Sequence, residues 1–370
     1  MGNLTGCVRL PSAAVASPLA SFRFSTLPPR LARPGIRLTK PLRRFASLAA
    51  STARAFDWDD VVRVAEEVRE DEDPSDLSGY FEKVQLCNRG SDLQSEFVPF
   101  LVEDQIVGYV HNRFLDHLRQ FEEVFKVDFG ENESYTGGNV QLHSSLLTPE
   151  ERTMAVGNAI KCLGGLIPGI RNELYPVKPS FDEPVLFSLE RAAAPYFGIK
   201  AYGVHMNGYV EINGENFLWI GKRSISKQTF PGMLDHLVAG GLPHGMSCKE
   251  NLQKECEEEA GIPRSLSNVA TSVGAVSYMD MDGYSFKRDV LFCYDLKLPV
   301  DFIPKNEDGE VDSFRLVPVT QVANVIRRTK FFKPNCALVI IDFLFRHGYI
   351  TPDEQGYLKL LQSLRSGDCS

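Results

Sequence analysis

Apolar side chains recur at helical spacing over residues 56–69, and the pattern breaks at an acidic turn over 70–76. Residues 97–110 alternate apolar and polar positions over two short stretches, which predicts two strands. Phe114, Leu115, Leu118 and Phe121 then mark one helix face. Thr148, Pro149, Glu150 and Glu151 form a capping box with proline at the first helical position, opening a helix that runs to Gly164 and Gly165. A proline-rich passage (Pro176, Pro179, Pro184) separates this part from a strand-rich one, with the boundary near residue 190. Strands are predicted at 200–210, 217–221, 269–279 and 288–298. A helix over 334–345 stops before Gly348, and Thr351 to Glu354 read as another capping box opening a last helix. No internal repeat is present.

Charge separates one end of the chain from the rest. Residues 1–56 hold no Asp or Glu but nine basic residues: Arg9, Arg23, Arg30, Arg33, Arg37, Lys40, Arg43, Arg44 and Arg54. Rich also in Ser, Ala, Pro and Leu, this segment reads as an organelle transit peptide, for chloroplast rather than mitochondrion; a basic nucleic-acid-binding arm is the alternative. Taking those nine from the 40 basic residues leaves 31 against 48 acidic ones, a balance near −17 for the body. Such a body repels a phosphate polymer, so no nucleic-acid partner is expected. No apolar run reaches the roughly 18 residues of a membrane span; the best candidate, residues 336–345, is short and contains Asp342. The eight cysteines show no Cys-x-x-Cys pair and no zinc-like spacing with histidine, and read as free thiols, with a disulfide or metal site the less favoured alternative.

The chemistry concentrates between Gly240 and Ile262. A glycine-rich loop (Gly240, Gly241, Gly245) feeds a helix that Ser247 and Glu250 cap and Gly261 ends. At about 100° per residue, Glu258 and Glu259 fall within about 60° of Glu255. Three carboxylates therefore share one face, and Leu252, Cys256 and Ala260 form the adjoining apolar stripe. Like charges at this spacing cost a few tenths of a kcal/mol each, a penalty that a cation removes. Carboxylate oxygens suit Mg²⁺ or Mn²⁺, ions that commonly share their coordination with substrate phosphates. An acidic helix face can also simply be solvated, but the loop ahead of this one offers backbone N–H groups to an anion.

The stretch resembles the Nudix box, Gly-x5-Glu-x7-Arg-Glu-U-x-Glu-Glu-x-Gly-U with U aliphatic. Gly240 takes the first position, Glu255, Glu258 and Glu259 the helix glutamates, and Gly261 and Ile262 the close. Met246 stands in place of the loop glutamate, Lys254 in place of arginine, and Cys256 at an aliphatic position. Segments 219–227, 231–235 and 309–315 extend the likeness. Over residues 57–370 the chain resembles plant plastid Nudix hydrolases related to the Nudix part of fungal thiamine pyrophosphokinase.

The resemblance implies an α/β fold, a Nudix-type α/β/α sandwich with a mixed sheet, preceded by a smaller α+β domain. The organisation is then a transit peptide (1–56), an N-terminal α+β accessory domain (57–189), a Nudix domain (190–350) and a C-terminal helix and tail (351–370). It also implies hydrolysis of a small organic diphosphate, thiamine diphosphate and its oxidised analogues foremost, to the monophosphate and phosphate. Another nucleoside diphosphate derivative (ADP-ribose, a dinucleotide, coenzyme A) is the alternative substrate, and a diphosphate-binding module without catalysis the alternative class. Glu255, Glu258 and Glu259 would be catalytic and, with Glu310 and next Asp312, would bind Mg²⁺ or Mn²⁺. Gly240, Gly241, Arg223, Lys227 and His244 are the candidates for substrate contact, with Asp235 a further pocket or turn residue. Tyr202, Tyr278 and Tyr284 are candidates for a cationic thiazolium ring. The expected partner is a small-molecule diphosphate in the plastid stroma, with no membrane partner, and the oligomeric state is left open between monomer and homodimer. No Walker loop, Gly-x-Ser-x-Gly elbow or Gly-x-Gly-x-x-Gly run supports a competing class.

Overall fold

Two short helices, α1 (Trp58–Glu66) and α2 (Ser78–Leu86), open the part of the chain that the computed structural model describes, residues 56–70, 72–128, 130 and 137–368. The basic leader lies outside these residues. The helical spacing of 56–69 becomes α1 because Asp57 caps it: its carboxylate accepts the Asp60 amide at 2.9 Å, and Asp60 returns the bond at 3.3 Å.

The next elements are β1 (Phe97–Val102), β2 (Gln105–His111), α3 (Leu115–Leu118), β3 (Phe125–Asp128) and β4 (Asn139–Leu142). They build a four-stranded sheet in the order β2-β1-β4-β3, in which only β1 and β4 run parallel. The apolar face at 114–121 yields a single helical turn, α3, with Phe114, Leu115 and Leu118 fully buried. Helix α4 (Pro149–Leu163) follows its predicted capping box, and Val156, Ala159, Ile160 and Leu163 carry it into the core. The proline-rich passage holds a pair of strands, β5 (Leu174–Val177) and β6 (Phe187–Glu190). Their Tyr175, Val177, Phe187 and Leu189 share one core with β1, α3 and α4.

A larger sheet follows, with β7 (Lys200–Ile212), β8 (Glu215–Arg223), β9 (Leu234–Asp235) and β10 (Val238–Gly241). Helices α5 (Cys248–Ala260) and α6 (Arg264–Ser267) lead to β11 (Thr271–Asp282), β12 (Ser285–Lys297) and β13 (Val311–Pro318). The order is β11-β12-β7-β8-β13, with β10 on β7 and β9 on β8; only β7 and β12 pair in parallel. Alternation along β7 turns Val204, Met206 and Val210 toward Leu252, Cys256 and Ala260 of α5. The opposite face of the sheet carries α7 (Val319–Arg328) and α8 (Pro334–Arg346), together with α1 and α2. Helix α8 is buried from Cys336 to Phe345, and the charge of Asp342 within it is answered by Arg346 at 2.8 Å and Arg365 at 2.6 Å. Among the described residues no helix is long and apolar enough to cross a membrane. The architecture is the expected α/β/α sandwich behind an α+β part.

The last helix departs from expectation. Glu354 does accept the Thr351 amide at 3.1 Å, but α9 (Tyr357–Ser363) begins only after Gly356, whose φ of +95° turns the chain between them.

The seam between β2 and the turn that leads into β7 is tight. The Tyr109 amide donates to the Phe197 carbonyl at 3.0 Å, and a Cβ at Gly108 would lie 2.2 Å from that oxygen. Backbone is on both sides of this contact, so Gly108→Ala is expected to destabilise the protein by about 2 kcal/mol or more. A lower denaturation midpoint measures it; an unchanged midpoint would mean that the seam yields.

Candidate active site

Helix α5 is fixed at both ends. Ser247 Oγ accepts the Glu250 amide at 3.2 Å, Glu250 Oε2 accepts the Ser247 amide at 3.1 Å, and Gly261 ends the helix at φ +61°. With Leu252, Cys256 and Ala260 packed on the sheet, the turn carrying Glu255, Glu258 and Glu259 is set against strand β10. Asn251, fully buried, donates to the Gly241 carbonyl at 2.9 Å and ties helix to loop.

The three glutamates sit at graded depth. Glu259 is only 8% exposed, and its Oε2 accepts the Ala239 amide at 2.7 Å. Burial pushes its carboxyl well above the ordinary range; the amide bond opposes this, while Glu255, Asp235 and Glu310 add to it. Glu255 lies beneath Gly240, where a Cβ would come within 2.3 Å of its Cγ and 2.6 Å of its Oε1. Glycine at 240 is thus the space that Glu255 occupies. Burial raises Glu255 as well, against the pull of Lys254. Glu258 is the outermost. The Lys254 ammonium lies 2.7 Å from Glu258 Oε2 and 3.2 Å from Glu255 Oε1, so one cation already bridges two of the three carboxylates. Oxygen donors of net negative charge, raised by burial and cradled under a glycine, fit a divalent ion.

Other predicted residues have partners that qualify their roles. Arg223 donates to Asp235 Oδ2 at 2.9 Å and to the carbonyls of Phe230 and Thr229, both at 3.1 Å, and so braces its loop. Lys227 and Glu310 pair with each other, and Glu310 stands within electrostatic reach of Glu259. Asp312 is exposed and accepts from the Ser313 hydroxyl at 3.2 Å. His244 donates its amide to the Leu174 carbonyl at 3.0 Å, and its Nδ1 lies 2.6 Å from Ser188 Oγ, mooring the loop to β5 and β6. Tyr202 packs with Phe181 and Phe292, Tyr278 bonds Asp289, and Tyr284 lies against His111 and Phe114. The structure does not gather these three tyrosines in one place.

The N-terminal part supplies residues that pattern reading did not single out. A Cβ on Gly241 would meet the Tyr175 hydroxyl at 1.8 Å, so Tyr175 of β5 is seated directly on the loop. Arg191 pairs with Glu173 at 2.8 Å, its guanidinium lies 5.4 Å from the Tyr175 ring centroid, and its charge is held up by Tyr175, Glu173 and Glu255 against burial. No motif marks them; the one signal was a tyrosine inside a proline-rich passage.

A capped glutamate helix against a glycine strand, on a mixed sheet between helical layers, defines the class: the chain belongs to the Nudix hydrolase family. Residues 208–335 match the model of the NUDIX domain, and residues 79–201 that of a domain of unknown function, DUF4743. The chain is 62% identical to Arabidopsis thaliana Nudix hydrolase 20, chloroplastic, over 89% of each chain. It is 61% identical to Nudix hydrolase 24, chloroplastic, of the same plant, over 85% of this chain and 86% of the relative. An uncharacterized protein of Saccharomyces cerevisiae is 39% identical over 65% of this chain and 73% of its own. Among solved structures, a MutT protein from Methanosarcina mazei aligns over 40% of this chain and 95% of its own, at 19% identity and a TM-score of 0.32. The NUDIX domain of Shewanella oneidensis NrtR, solved with ADP ribose, aligns over 41% and 90%, at 12% identity and a TM-score of 0.32. The chain is therefore a Nudix hydrolase, of a family that acts on nucleoside diphosphate derivatives and generally needs divalent metal ions, and it is chloroplastic, as its plant relatives are.

The raised carboxyls of Glu255 and Glu259 carry a sign for stability. The folded protein holds their protons more tightly than the unfolded chain, so metal-free stability falls as pH rises from the ordinary carboxylate range through the raised values. Adding Mg²⁺ or Mn²⁺ is expected to raise Tm, and by more at pH 8 than at pH 5. Glu259→Gln, which keeps an acceptor for Ala239, is expected to flatten both dependences. Thermal melts with and without metal check this, and a metal effect that is the same at both pH values would contradict it.

Proposed function

We propose that this enzyme hydrolyses the anhydride bond of a small organic diphosphate, with thiamine diphosphate and its oxidised forms foremost. The water oxygen bonds to the terminal phosphorus, the bond from that phosphorus to the bridging oxygen breaks, and monophosphate, orthophosphate and a proton result. Glu255, Glu258 and Glu259, with Glu310 beside them, would hold Mg²⁺ or Mn²⁺, which when bound neutralises phosphate oxygens and lowers the pKa of a coordinated water. For this, Lys254 releases Glu255 and Glu258, and Lys227 exchanges Glu310 for a phosphate oxygen. The Lys254–Glu258 pair is exposed on both sides and costs little to open, whereas Glu255 and Lys227 are only 15% and 14% exposed and need the incoming ion and phosphate as replacement partners. Gly240 and Gly241 would shape the floor of the site, the one making room for Glu255 and the other for Tyr175. Arg223 and His244 would position the loops around the phosphates, through Asp235 and Ser188.

The observation that carries the substrate reading is the seating of Tyr175 on Gly241, one residue from the cradle of Glu255. An aromatic ring thereby lies across β10 from Glu255, at the neighbouring position of the strand. Asp289, buried and bonded by the Tyr278 hydroxyl, lies within electrostatic reach of Tyr175, with Lys287 and Arg191 as its nearby cations. A cationic thiazolium ring suits an aromatic face such as that of Tyr175. A nucleoside diphosphate derivative is the second reading, favoured by Arg191 and by Arg171, whose charge is felt at Glu310. On either reading residues 57–189 act as an accessory part that shapes the pocket, and the enzyme works in the stroma.

A panel of diphosphates assayed with Mg²⁺ and with Mn²⁺ tests the proposal. Thiamine diphosphate and its oxidised forms are expected among the better substrates, each giving the monophosphate. Glu258→Gln is expected to lower kcat by about 10²-fold or more, the scale of losing a few kcal/mol of charge stabilisation, with the fold retained. Poor turnover of every thiamine compound beside good turnover of ADP-ribose would favour the second reading.

A further inference from the structure

Behind strand β10, on the sheet face that α8 covers, lies a group of side chains that the hydrolytic site does not use. His205 of β7, His236 between β9 and β10, and Cys336 in the first turn of α8 each present a ligand atom within 4.8 Å of the others. They are 5%, 3% and 0% exposed. The His205 and His236 rings stand 4.8 Å apart, held by the register that pairs His205 with Ala239. His205 Nδ1 and both ring nitrogens of His236 are buried without a hydrogen bond of normal geometry among the described residues. Buried polar atoms in that condition are costly, and one nitrogen of each ring lies with the Cys336 sulfur in a group that calls for a ligand. Asp235 adjoins the group: the Cys336 thiol donates to its Oδ1, which lies 3.3 Å from His236 Nδ1. Its other oxygen, Oδ2, faces Arg223 at 2.9 Å and Lys333 at 3.7 Å.

We propose that His205, His236 and Cys336 form a second metal site, for a Zn²⁺-class ion, with Asp235, which adjoins Cys336 and His236 outside that group of three, turning in as fourth donor. Two imidazole nitrogens, a thiolate sulfur and a carboxylate oxygen are the donors that a tetrahedral zinc site takes, whereas Mg²⁺ prefers oxygen alone. Binding moves the thiol proton of Cys336 to solvent, leaving the +2 ion balanced by thiolate and carboxylate. Arg223 and Lys333 remain on Oδ2, on the far side of that carboxylate from the ion. The four donors are nearly sealed from water, so the role is structural: the ion joins α8 to β7 and fixes the run from His236 to Ala239, whose amide holds Glu259.

The full-length chain, purified under reducing conditions and freed of loosely held metal, is analysed for zinc and then loaded with Co²⁺. Retained stoichiometric zinc, or a tetrahedral cobalt spectrum with a thiolate-to-cobalt charge-transfer band that added Zn²⁺ abolishes, is the expected result. The band should persist in Glu258→Gln and vanish in Cys336→Ser. Wild-type protein with neither zinc nor the band would overturn the proposal without recourse to any variant, and so would a band that survives Cys336→Ser.

Discussion

Glu259 is a carboxylate driven into the interior at the end of a helix, where it meets one backbone amide at 2.7 Å and the negative potential of Glu255, Asp235 and Glu310. Left alone, that arrangement is unfavourable. It persists because α5 is fixed by its caps and by Leu252, Cys256 and Ala260 on the sheet, so the side chain cannot swing to water without disturbing the core. The strain is local and electrostatic, and on the proposed function a divalent cation would relieve it. Much else follows from this point: the glycine at 240 that makes room for Glu255, the bridging ammonium of Lys254, and the buried Asn251 that ties loop to helix.

The N-terminal part is joined to the same loop from the other side. The Leu174 carbonyl and the Ser188 hydroxyl hold His244, while the Tyr175 hydroxyl rests on Gly241. The loop is therefore clamped between α5 and the β5–β6 pair, and its shape depends on both. On the proposed function, specificity built in this way would need no motif of its own: a tyrosine, an arginine and a glutamate placed by a separate core would set what stands beside the phosphates.

How much of this was legible in the sequence depends on the range of the interactions. Local signals worked: Thr148 with Glu151 and Ser247 with Glu250 opened helices where expected, and alternation located β7, β8, β11 and β12. Thr351 with Glu354 showed the same signature, yet the left-handed turn at Gly356 postponed the helix. Strand β5 escaped notice because Pro176 lies within it, and α7 because its Val319, Val322, Val325 and Ile326 follow directly on a strand. The glutamate face was legible because one helical turn contains it. Tyr175, Arg191 and the group at His205, His236 and Cys336 were not, since chain folding alone brings together residues with no fixed spacing. The pairing of Arg223 with Asp235, and of Lys227 with Glu310, is equally a product of tertiary contact.

Whether the face of α5 holds a divalent ion is decided by anomalous diffraction from a crystal soaked in Mn²⁺. A manganese peak is expected within bonding distance of Glu255 and Glu259 oxygens, with Lys254 displaced from Glu258. A soaked crystal in which no peak appears on that face and Lys254 still bridges Glu255 and Glu258 would contradict it.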